Sequence, residues 1–415
     1  MVGWSQEQLS EYSSISVRTI RNLETGAIQN PRRTSVELLF NALRSATPHS
    51  EFSLSIGAID DPVSRLGSFL ETDLLVTAVE IPENAVWVGL RPKSDVTVGR
   101  RSDLTQVVAA VQRSRLLVLT GPVGVGKTRL ALEAAARLLD QFPDGVVVAE
   151  LGLLTPEIVD PQAAAAEVGR VLNATIPVEA GPDDRRTLLV IDDVGHVLSA
   201  VTPWVQRLLT RYPGLHILMT SLRAPTTVPA EVWEVTPLPV DQPDGPSNIP
   251  AAAELFRRRA QAAVPTLDLG DRMVSVLELC RRLGGLPLAI ETAAFRIRSI
   301  PLETMLAKRS ILPILEQNGV GGLSHHRSMR QSVEWAYGLL EDRQRRVLHL
   351  LARLPEEFSI DEALDSTSAD HQADVGDINV LAGLVDDSAV QVKRGCHYVY
   401  EVPKLMCEYV NTLSA

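Results

Sequence analysis

The fold of this chain is decided by residues 121–128, which read Gly-Pro-Val-Gly-Val-Gly-Lys-Thr. An apolar run typical of a β-strand, Leu116–Leu119, precedes them, and a run with helical periodicity, Arg129–Leu139, follows. This is the GxxxxGK[ST] pattern of a phosphate-binding loop between a strand and a helix. Its glycines let backbone N–H groups point inward at a helix start, where anions bind favourably. The sequence therefore predicts a purine nucleoside triphosphate site here.

The positions of this loop have distinct predicted roles. Lys127 supplies the positive charge for the β- and γ-phosphates, and the Thr128 hydroxyl is a ligand for Mg²⁺. A glycine-rich turn with an incidental lysine is the alternative, and the flanking strand and helix disfavour it. The other residues of the loop and the one after it are also predicted to bind the nucleotide: Gly121, Pro122, Val123, Gly124, Val125, Gly126 and Arg129.

A second apolar strand, Leu188–Ile191, ends in two carboxylates. Asp192 is predicted to hold Mg²⁺ through its water shell, and Asp193 to orient or deprotonate an attacking water. An isolated Asp-Asp pair would more often cap the following helix, but the phosphate loop favours the role in the site. A further strand, His216–Met219, ends in Thr220, which we expect to sense the γ-phosphate.

Between about residues 96 and 238, apolar β-type runs alternate with helical ones, which predicts a parallel sheet covered by helices. The following residues, 251–312, have helical patterns only, so the fold class is multidomain, α/β followed by all-α. A run of three arginines, Arg257–Arg259, is expected to form a solvated surface.

Composition limits the classes of function. The 415 residues carry a net charge of −11, which argues against a chain that coats nucleic acid along its whole length. Its three cysteines show no metal-ligand spacing. No apolar run approaches the ~18 residues of a membrane span, and the N-terminus has no signal pattern. We therefore expect a cytoplasmic protein that makes no contact with membranes.

Several ordered landmarks resemble the NB-ARC module of STAND-class signalling ATPases, in particular actinobacterial transcriptional regulators. They include Val98-Gly99-Arg100, the phosphate loop, and the Gly-Leu-Pro-Leu-Ala run at residues 285–289. Residues 332–340 and the stretches Leu381–Val385 and Tyr400–Tyr409 resemble the start and end of that family's winged helix. The resemblance covers residues 96–415, and the order of the landmarks makes it specific.

The resemblance implies that Val98, Gly99 and Arg100 lie beside the adenine of ATP or ADP and that Pro287 packs on the base. It also implies a P-loop domain at 96–240, a helical domain at 250–318 and a winged helix at 324–415. In such a switch ADP holds the winged helix closed, and exchange for Mg²⁺-ATP opens it and permits self-association. Any ATPase activity would be slow, and the chain would not be a metabolic enzyme.

Two positions depart from the family pattern. The family's arginine usually follows Thr-Ser directly, whereas Leu222 precedes Arg223 here. The winged helix often carries a histidine that contacts the β-phosphate of ADP, and the matching stretch here is Val402-Pro403-Lys404. We therefore expect a loosened or differently made ADP lock, with Lys404 exposed.

Residues 1–44 resemble the helix-turn-helix of the phage-repressor (XRE) family, whereas 45–95 read as linker with minor structure. Ser5–Leu9 and Ser16–Glu24 have the pattern of helix, tight turn and helix. In that family the second helix enters the major groove. The sequence begins where the family would have completed a preceding helix, so we expect that helix to be missing. The residues implied to contact DNA are Gln6, Val17, Arg18, Thr19 and Arg21.

Three functions follow from these observations. The first is a nucleotide-switched transcriptional regulator that binds DNA through its N-terminus. The alternative is a STAND signalling ATPase that acts on a protein partner and has a vestigial N-terminus. The third, a P-loop enzyme that phosphorylates a small molecule, is least favoured because the residues after 240 match a helical switch region better than an acceptor pocket.

Overall fold

The structure is a computed structural model, and it describes most of the chain after residue 85. The described ranges are 86–93, 95–152, 186–241, 249–316, 328–368 and 378–413, with shorter stretches at 16–17, 20–21, 75–76, 81, 154, 166 and 169–170. The chain divides into two units, Met1–Phe69 and Leu70–Ala415. All the strands and helices with bounds given below belong to the second unit.

Ten strands lie in the described part of that unit. Their bounds are Leu75–Val76 (β1), Trp87–Val88 (β2), Thr97–Val98 (β3), Leu116–Thr120 (β4), Val146–Glu150 (β5), Leu188–Asp192 (β6), His216–Thr220 (β7), Glu231–Glu234 (β8), Gln391–Arg394 (β9) and Tyr398–Glu401 (β10). Six of them form a parallel sheet in the order β2-β5-β6-β7-β4-β8. Strands β1 and β3 form one antiparallel pair, and β9 and β10 another.

Helices cover the sheet and then continue the chain. Within the described residues of the α/β part, the helices are Arg101–Arg113 (α1), Lys127–Arg137 (α2) and Leu198–Arg211 (α3). The next group is Ala251–Ala263 (α4), Met273–Arg282 (α5), Pro287–Arg296 (α6) and Leu302–Ala307 (α7). The last group, which surrounds the β9–β10 pair in sequence, is Met329–Gly338 (α8), Asp342–Leu351 (α9), Ile360–Ser368 (α10), Ile378–Asp386 (α11) and Lys404–Leu413 (α12).

Side-chain alternation gives the sheet two apolar faces. On one face, Val148 and Val190 pack in the same core cluster as Leu130 of α2. On the other, Val147 and Ile191 pack with Val201 of α3. Because side chains alternate along a strand, the last residues of β5, β6 and β7 face the same side as α2. The sheet therefore directs these strand ends towards the start of the phosphate-loop helix.

The predicted fold class, a parallel-sheet P-loop domain followed by a helical region, is confirmed. The sheet has two strands more than the four apolar runs predicted, since β2 and β8 join its edges. Helix α2 begins at Lys127 rather than Arg129, because Gly126 already caps it. In the part of the chain that the structure describes, no helix combines the length and apolar character needed to cross a membrane.

Candidate functional site

The phosphate loop forms the N-terminus of α2. Gly126 precedes that helix in a left-handed conformation with φ 98°, which favours glycine. Lys127 is the first helical residue, and its Nζ donates to the carbonyl oxygens of Gly121 at 2.7 Å and Pro122 at 3.0 Å. Burial lowers the pKa of Lys127 to about 8, although Asp193 and Asp192 act in the opposite direction. The loop thus places a lysine and free helical N–H groups at one point.

The predicted magnesium ligands lie together. The Thr128 hydroxyl donates to Asp192, 2.8 Å from Oδ1 and 3.1 Å from Oδ2. Asp192 is 5% exposed, so its carboxylate is held in a buried position between the loop and the sheet. Hydroxyl and carboxylate oxygens are the ligands that Mg²⁺ prefers, usually shared with waters and phosphate oxygens. Thr128 and Asp192 are therefore the residues that would hold a magnesium ion, which would neutralise phosphate charge.

Thr220 bonds to both consecutive aspartates. Its Oγ1 donates to Asp192 Oδ1 at 2.5 Å and accepts from the backbone N–H of Asp193 at 2.9 Å. Asp193 has a positive φ of 58°, which is uncommon for a residue other than glycine. The Thr220 hydroxyl therefore orients the aspartate pair, a contact that the sequence does not indicate.

Three of the residues predicted to lie beside the base, Val98, Arg100 and Pro287, line one cavity next to the loop, and Gly99 is not among its lining residues. Arg100, 6% exposed, donates from Nη2 to the Val125 carbonyl at 2.9 Å and pairs through Nη1 with Asp103 at 2.8 Å. It therefore fixes the middle of the loop to the start of α1. The walls of the cavity are mostly apolar, as a nucleobase requires. Its lining includes Val96, Val98, Arg100, Val125, Gly126, Arg129, Leu130, Leu238, Leu255 and Pro287.

A network of charged side chains closes one side of this cavity. Arg129 pairs with Asp95 at 2.9 Å and donates to Thr97 Oγ1 at 2.8 Å. Arg259 also pairs with Asp95, and with Glu291 of α6 at 2.8 Å. Burial raises the pKa of Asp95, but Arg129 and Arg259 together hold it below its usual range. Asp95 thus links the residue after the loop to helices α4 and α6.

The expectation of a solvated surface at Arg257–Arg259 holds only in part, because the three side chains are 29–33% exposed and each of them is ion-paired. Arg257 and Arg258 both bond to Glu254, a carboxylate that is only 6% exposed, and Arg259 belongs to the network just described. Arg257 and Arg258 lie three and four residues after Glu254 along α4, so they neutralise its buried charge. The sequence showed the basic run but not the buried partners.

The phosphate loop also contacts the residues that follow the sheet. The Gly124 carbonyl accepts from the backbone N–H of Leu288 in α6 at 3.1 Å. Gly124 has φ 74°, and a β-carbon there would lie 2.9 Å from Met329 Sδ and 3.1 Å from Leu288 Cβ. Pro122 and Val123 face Met329, Val333 and Pro403 in a narrow cavity. The loop is therefore packed against α6, α8 and the start of α12.

A second connection, which we call the β7–α11 contact, joins Leu222 and Arg223 to Asp387 and Ser388. The Ser388 hydroxyl donates to the Leu222 carbonyl at 2.6 Å. Arg223 Nη1 lies 3.4 Å from Asp387 Oδ1, and Asp387 Oδ2 accepts from Gln344 at 2.7 Å. Only Ser221 separates Leu222 from the end of β7, so this contact begins two residues beyond Thr220.

The stretch Val402-Pro403-Lys404 lies at the same boundary. Pro403 shares the narrow cavity with Pro122 and Val123. Lys404, whose side chain is 39% exposed, points to Glu356, with Nζ 3.0 Å from Oε2. The lysine is thus engaged in a surface ion pair.

Few of the residues predicted to bind DNA lie in the described part. The Ile20 N–H donates to the Ser16 carbonyl at 3.1 Å, as in a helical turn, and Ile20 is buried. Val17 is partly exposed and Arg21 is exposed, so Arg21 points to a different side from Ile20. Gln6, Arg18 and Thr19 lie outside the described residues.

One carboxylate at the site was not predicted from the sequence. Glu150 ends β5 and is the register partner of Asp192. Burial, and then the charge of Asp192, raise the pKa of Glu150. The signal was present, since residues 146–150 form an apolar run that ends in a carboxylate just as residues 188–192 do. The sequence alone does not show that these two strands are neighbours in the sheet.

Comparisons with known proteins found a matching family model and several similar proteins. The model of a family described as "Helix-turn-helix" matches residues 1–48. The "Putative HTH-type transcriptional regulator Rv0890c" of Mycobacterium tuberculosis is 31% identical over 296 residues, 68% of this chain and 32% of that protein. The chain thus spans about a third of that relative's length.

Two further similarities cover most of the chain. A solved structure, the Walker-type ATPase PABY2304 of Pyrococcus abyssi, is 12% identical, with 78% of this chain and 99% of that one covered at a TM-score of 0.47. The "Uncharacterized protein Rv0894" of Mycobacterium tuberculosis is 31% identical over 305 residues, 72% of this chain and 75% of that protein. The chain therefore belongs to the same family as Rv0894.

Proposed function

We propose that this protein is an ATP/ADP-dependent molecular switch of the NB-ARC type that regulates transcription. The nucleotide binds at the phosphate loop, and the N-terminal helix-turn-helix reads DNA. The helix-turn-helix match over residues 1–48 and the name of the relative Rv0890c support the second half of this proposal. The geometry around Lys127, Thr128 and Asp192 supports the first.

Nucleotide binding would use groups that are already in position. Phosphate oxygens would replace the Gly121 and Pro122 carbonyls as the acceptors of Lys127, and the N-terminal N–H groups of α2 would donate to them. Thr128 and Asp192 would hold Mg²⁺, which neutralises phosphate charge when bound. The base would enter the cavity between Val98 and Pro287, where Arg129 and Arg100 border it.

The observation that carries the switch is the direct packing of the phosphate loop on the helices after the sheet. Gly124 contacts both Leu288 and Met329, and the β7–α11 contact begins two residues after Thr220. We assign α8 to α12 and the β9–β10 pair to the winged helix. With ADP the winged helix stays closed on the loop, and Mg²⁺-ATP favours its release, which permits self-association.

Helix α11 of the winged helix is not suited to reading DNA. Its helix α11, Ile-Asn-Val-Leu-Ala-Gly-Leu-Val-Asp, contains no lysine or arginine. Val380, Leu381 and Leu384 are buried, so the helix packs inside the protein. Recognition helices instead present basic and polar side chains to the groove. We therefore assign DNA binding to the N-terminal helix-turn-helix and an intramolecular role to α11.

A gel-shift experiment tests this proposal. The full chain is mixed with DNA from upstream of its own coding region, with ADP or with Mg²⁺ and a non-hydrolysable ATP analogue. We expect a shift whose midpoint protein concentration depends on the nucleotide, and Lys127→Ala to abolish that dependence. A chain that binds nucleotide but shifts no DNA in either state would favour a signalling ATPase that acts on a protein partner.

A further inference from the structure

Three neighbouring strands end in polar side chains on one face of the sheet. Glu150 and Asp192 are register partners in β5 and β6, and Thr220 ends β7 beside them. The residues two positions earlier, Val148 and Val190, pack with α2, so this row faces the phosphate-loop helix. Glu150, Asp192 and Thr220 therefore form a continuous row of polar groups at the phosphate end of the sheet.

Two members of the row are already engaged. Asp192 accepts hydrogen bonds from both Thr128 and Thr220. Thr220 donates to Asp192 and accepts from the Asp193 N–H, which uses its single donor and one of its acceptor positions. These bonds hold the two side chains in one orientation and leave them little freedom to follow a reacting water.

Glu150 differs from its neighbours in the row. It is partly buried, and within the described residues its carboxylate has neither a hydrogen bond nor an ion pair. A partly buried carboxylate without a partner lowers the folding stability unless a ligand or another group binds to it. It lies one strand from the side chain that we assign to Mg²⁺, on the face towards which the γ-phosphate would extend from the loop.

Asp193, the other candidate, does not continue this row. Its backbone leaves the strand conformation, with φ 58°, immediately after β6. Strand geometry therefore places Glu150, and not Asp193, on the face of α2.

We propose, on the basis of the function proposed above, that Glu150 is the carboxylate that orients the attacking water and accepts its proton during ATP hydrolysis. The water oxygen forms a bond to the γ-phosphorus while the bond from that phosphorus to the β–γ bridging oxygen breaks. The bonding electron pair leaves with ADP, and the water proton passes to Glu150. The products are ADP and inorganic phosphate, and Glu150 returns its proton to phosphate or solvent.

Glu150→Gln tests this role because it preserves size and removes the basic oxygen. General bases typically contribute about 10²- to 10⁴-fold, so we expect single-turnover hydrolysis to slow at least ~100-fold. Binding of Mg²⁺-ATP, measured by titration calorimetry, should change less than ~3-fold, since Glu150 contacts neither the loop nor Asp192 through a hydrogen bond. Asp193→Asn is the matched comparison and should slow hydrolysis less. Glu303→Gln, on the exposed surface of α7, should change neither quantity.

A second measurement does not depend on turnover. ADP with beryllium fluoride resembles the ground state, whereas ADP with aluminium fluoride resembles the transition state with its water in place. We expect Glu150→Gln to bind the beryllium fluoride complex like the wild type and the aluminium fluoride complex at least ~10-fold more weakly. Equal weakening of both complexes would show a structural role and overturn the proposal.

The remaining outcomes are also decisive. If the wild type binds no nucleotide, the proposed function itself fails. If the wild type binds and hydrolyses ATP and Glu150→Gln does so at the same rate, only the role of Glu150 fails. A wild type that binds Mg²⁺-ATP but never hydrolyses it in a single turnover likewise overturns the role of Glu150 and leaves the binding site intact.

Discussion

The phosphate site and the β7–α11 contact lie beside each other at the end of β7, but they are stabilised differently. Asp192 is 5% exposed and accepts from two hydroxyl groups. The Arg223 side chain is 47% exposed, and its Nη1 is 3.4 Å from Asp387. Hydrogen bonds to buried charges contribute about 1.5–3 kcal/mol, whereas exposed ion pairs contribute about 0–1 kcal/mol. Disrupting the phosphate site should therefore cost more free energy than separating the β7–α11 contact.

The largest effect is expected for Lys127→Ala. Truncating one partner of a buried, hydrogen-bonded charge pair costs about 2–5 kcal/mol, so nucleotide affinity should fall at least ~30-fold. Isothermal titration of ADP and ATP measures this loss. Lys93→Ala, which removes an exposed lysine that is not part of the loop, is the control and should bind normally. Retained nucleotide affinity in Lys127→Ala would contradict the assignment of this loop as the phosphate site.

Asp192→Asn should have a more specific effect. The amide keeps the size of the side chain but loses the charge that favours Mg²⁺. We expect a loss of about 1.5–3 kcal/mol, or ~10- to 100-fold, in the Mg²⁺-dependent part of ATP affinity. Affinity for nucleotide without Mg²⁺ should not fall. Equal ATP affinities of variant and wild type across a Mg²⁺ titration would contradict the assignment of Asp192.

Gly124→Ala and Gly126→Ala separate strain in the loop from its packing on the helices. Both positions have positive φ, so each alanine costs about 1–2 kcal/mol. A β-carbon at Gly126 meets nothing within 4 Å, whereas one at Gly124 presses on Met329 and Leu288. We expect Gly124→Ala to lower the thermal midpoint further, by about 2–4 °C for each additional kcal/mol. Equal midpoints would show that the loop does not press on α8.

The smallest effect is expected at the β7–α11 contact. Ser388→Ala removes one hydrogen bond, worth about 0.5–1.5 kcal/mol, so ADP should dissociate only ~2- to 10-fold faster. Asp387→Asn, which weakens an exposed pair, should accelerate release still less. Stopped-flow displacement of a fluorescent ADP analogue measures both rates. Asp386→Asn, at an exposed neighbouring carboxylate, is the control. Slower release in Ser388→Ala would contradict the locking role.

Much of the fold follows from local sequence. Strands β4 to β7 were predicted because each is a continuous apolar run, as strands buried on both faces require. The edge strand β8 was missed, since it reads Glu-Val-Trp-Glu and is only partly buried, whereas β2 lies within residues 45–95, where the sequence predicts minor structure that includes a strand at residues 85–90. An edge strand has one partner and one covered side, so its composition resembles that of a loop.

The residues of the candidate site also fall into those that local sequence identifies and those that it does not. Lys127, Thr128 and Asp192 are identified by motifs whose spacing is local to the chain. The positions of Glu150 and Arg259 depend on strand order and helix packing, which bring together residues far apart in sequence. The same holds for the two hydrogen bonds that Thr220 makes to the aspartate pair. A single sequence does not indicate directly which distant residues are neighbours. The strand register of the sheet shows which ones are. The sequence therefore indicates which loop is the candidate phosphate site, but it does not indicate which side chains surround that loop.

Hydrogen–deuterium exchange tests the coupling between the two regions most directly. The full chain is compared with ADP and with Mg²⁺ and a non-hydrolysable ATP analogue, and the amides of α11 and β9 are followed. If the nucleotide controls the β7–α11 contact, these amides exchange faster with the ATP analogue than with ADP, and Lys127→Ala removes the difference. Identical exchange in both nucleotide states, with α2 protected in each, would contradict the account.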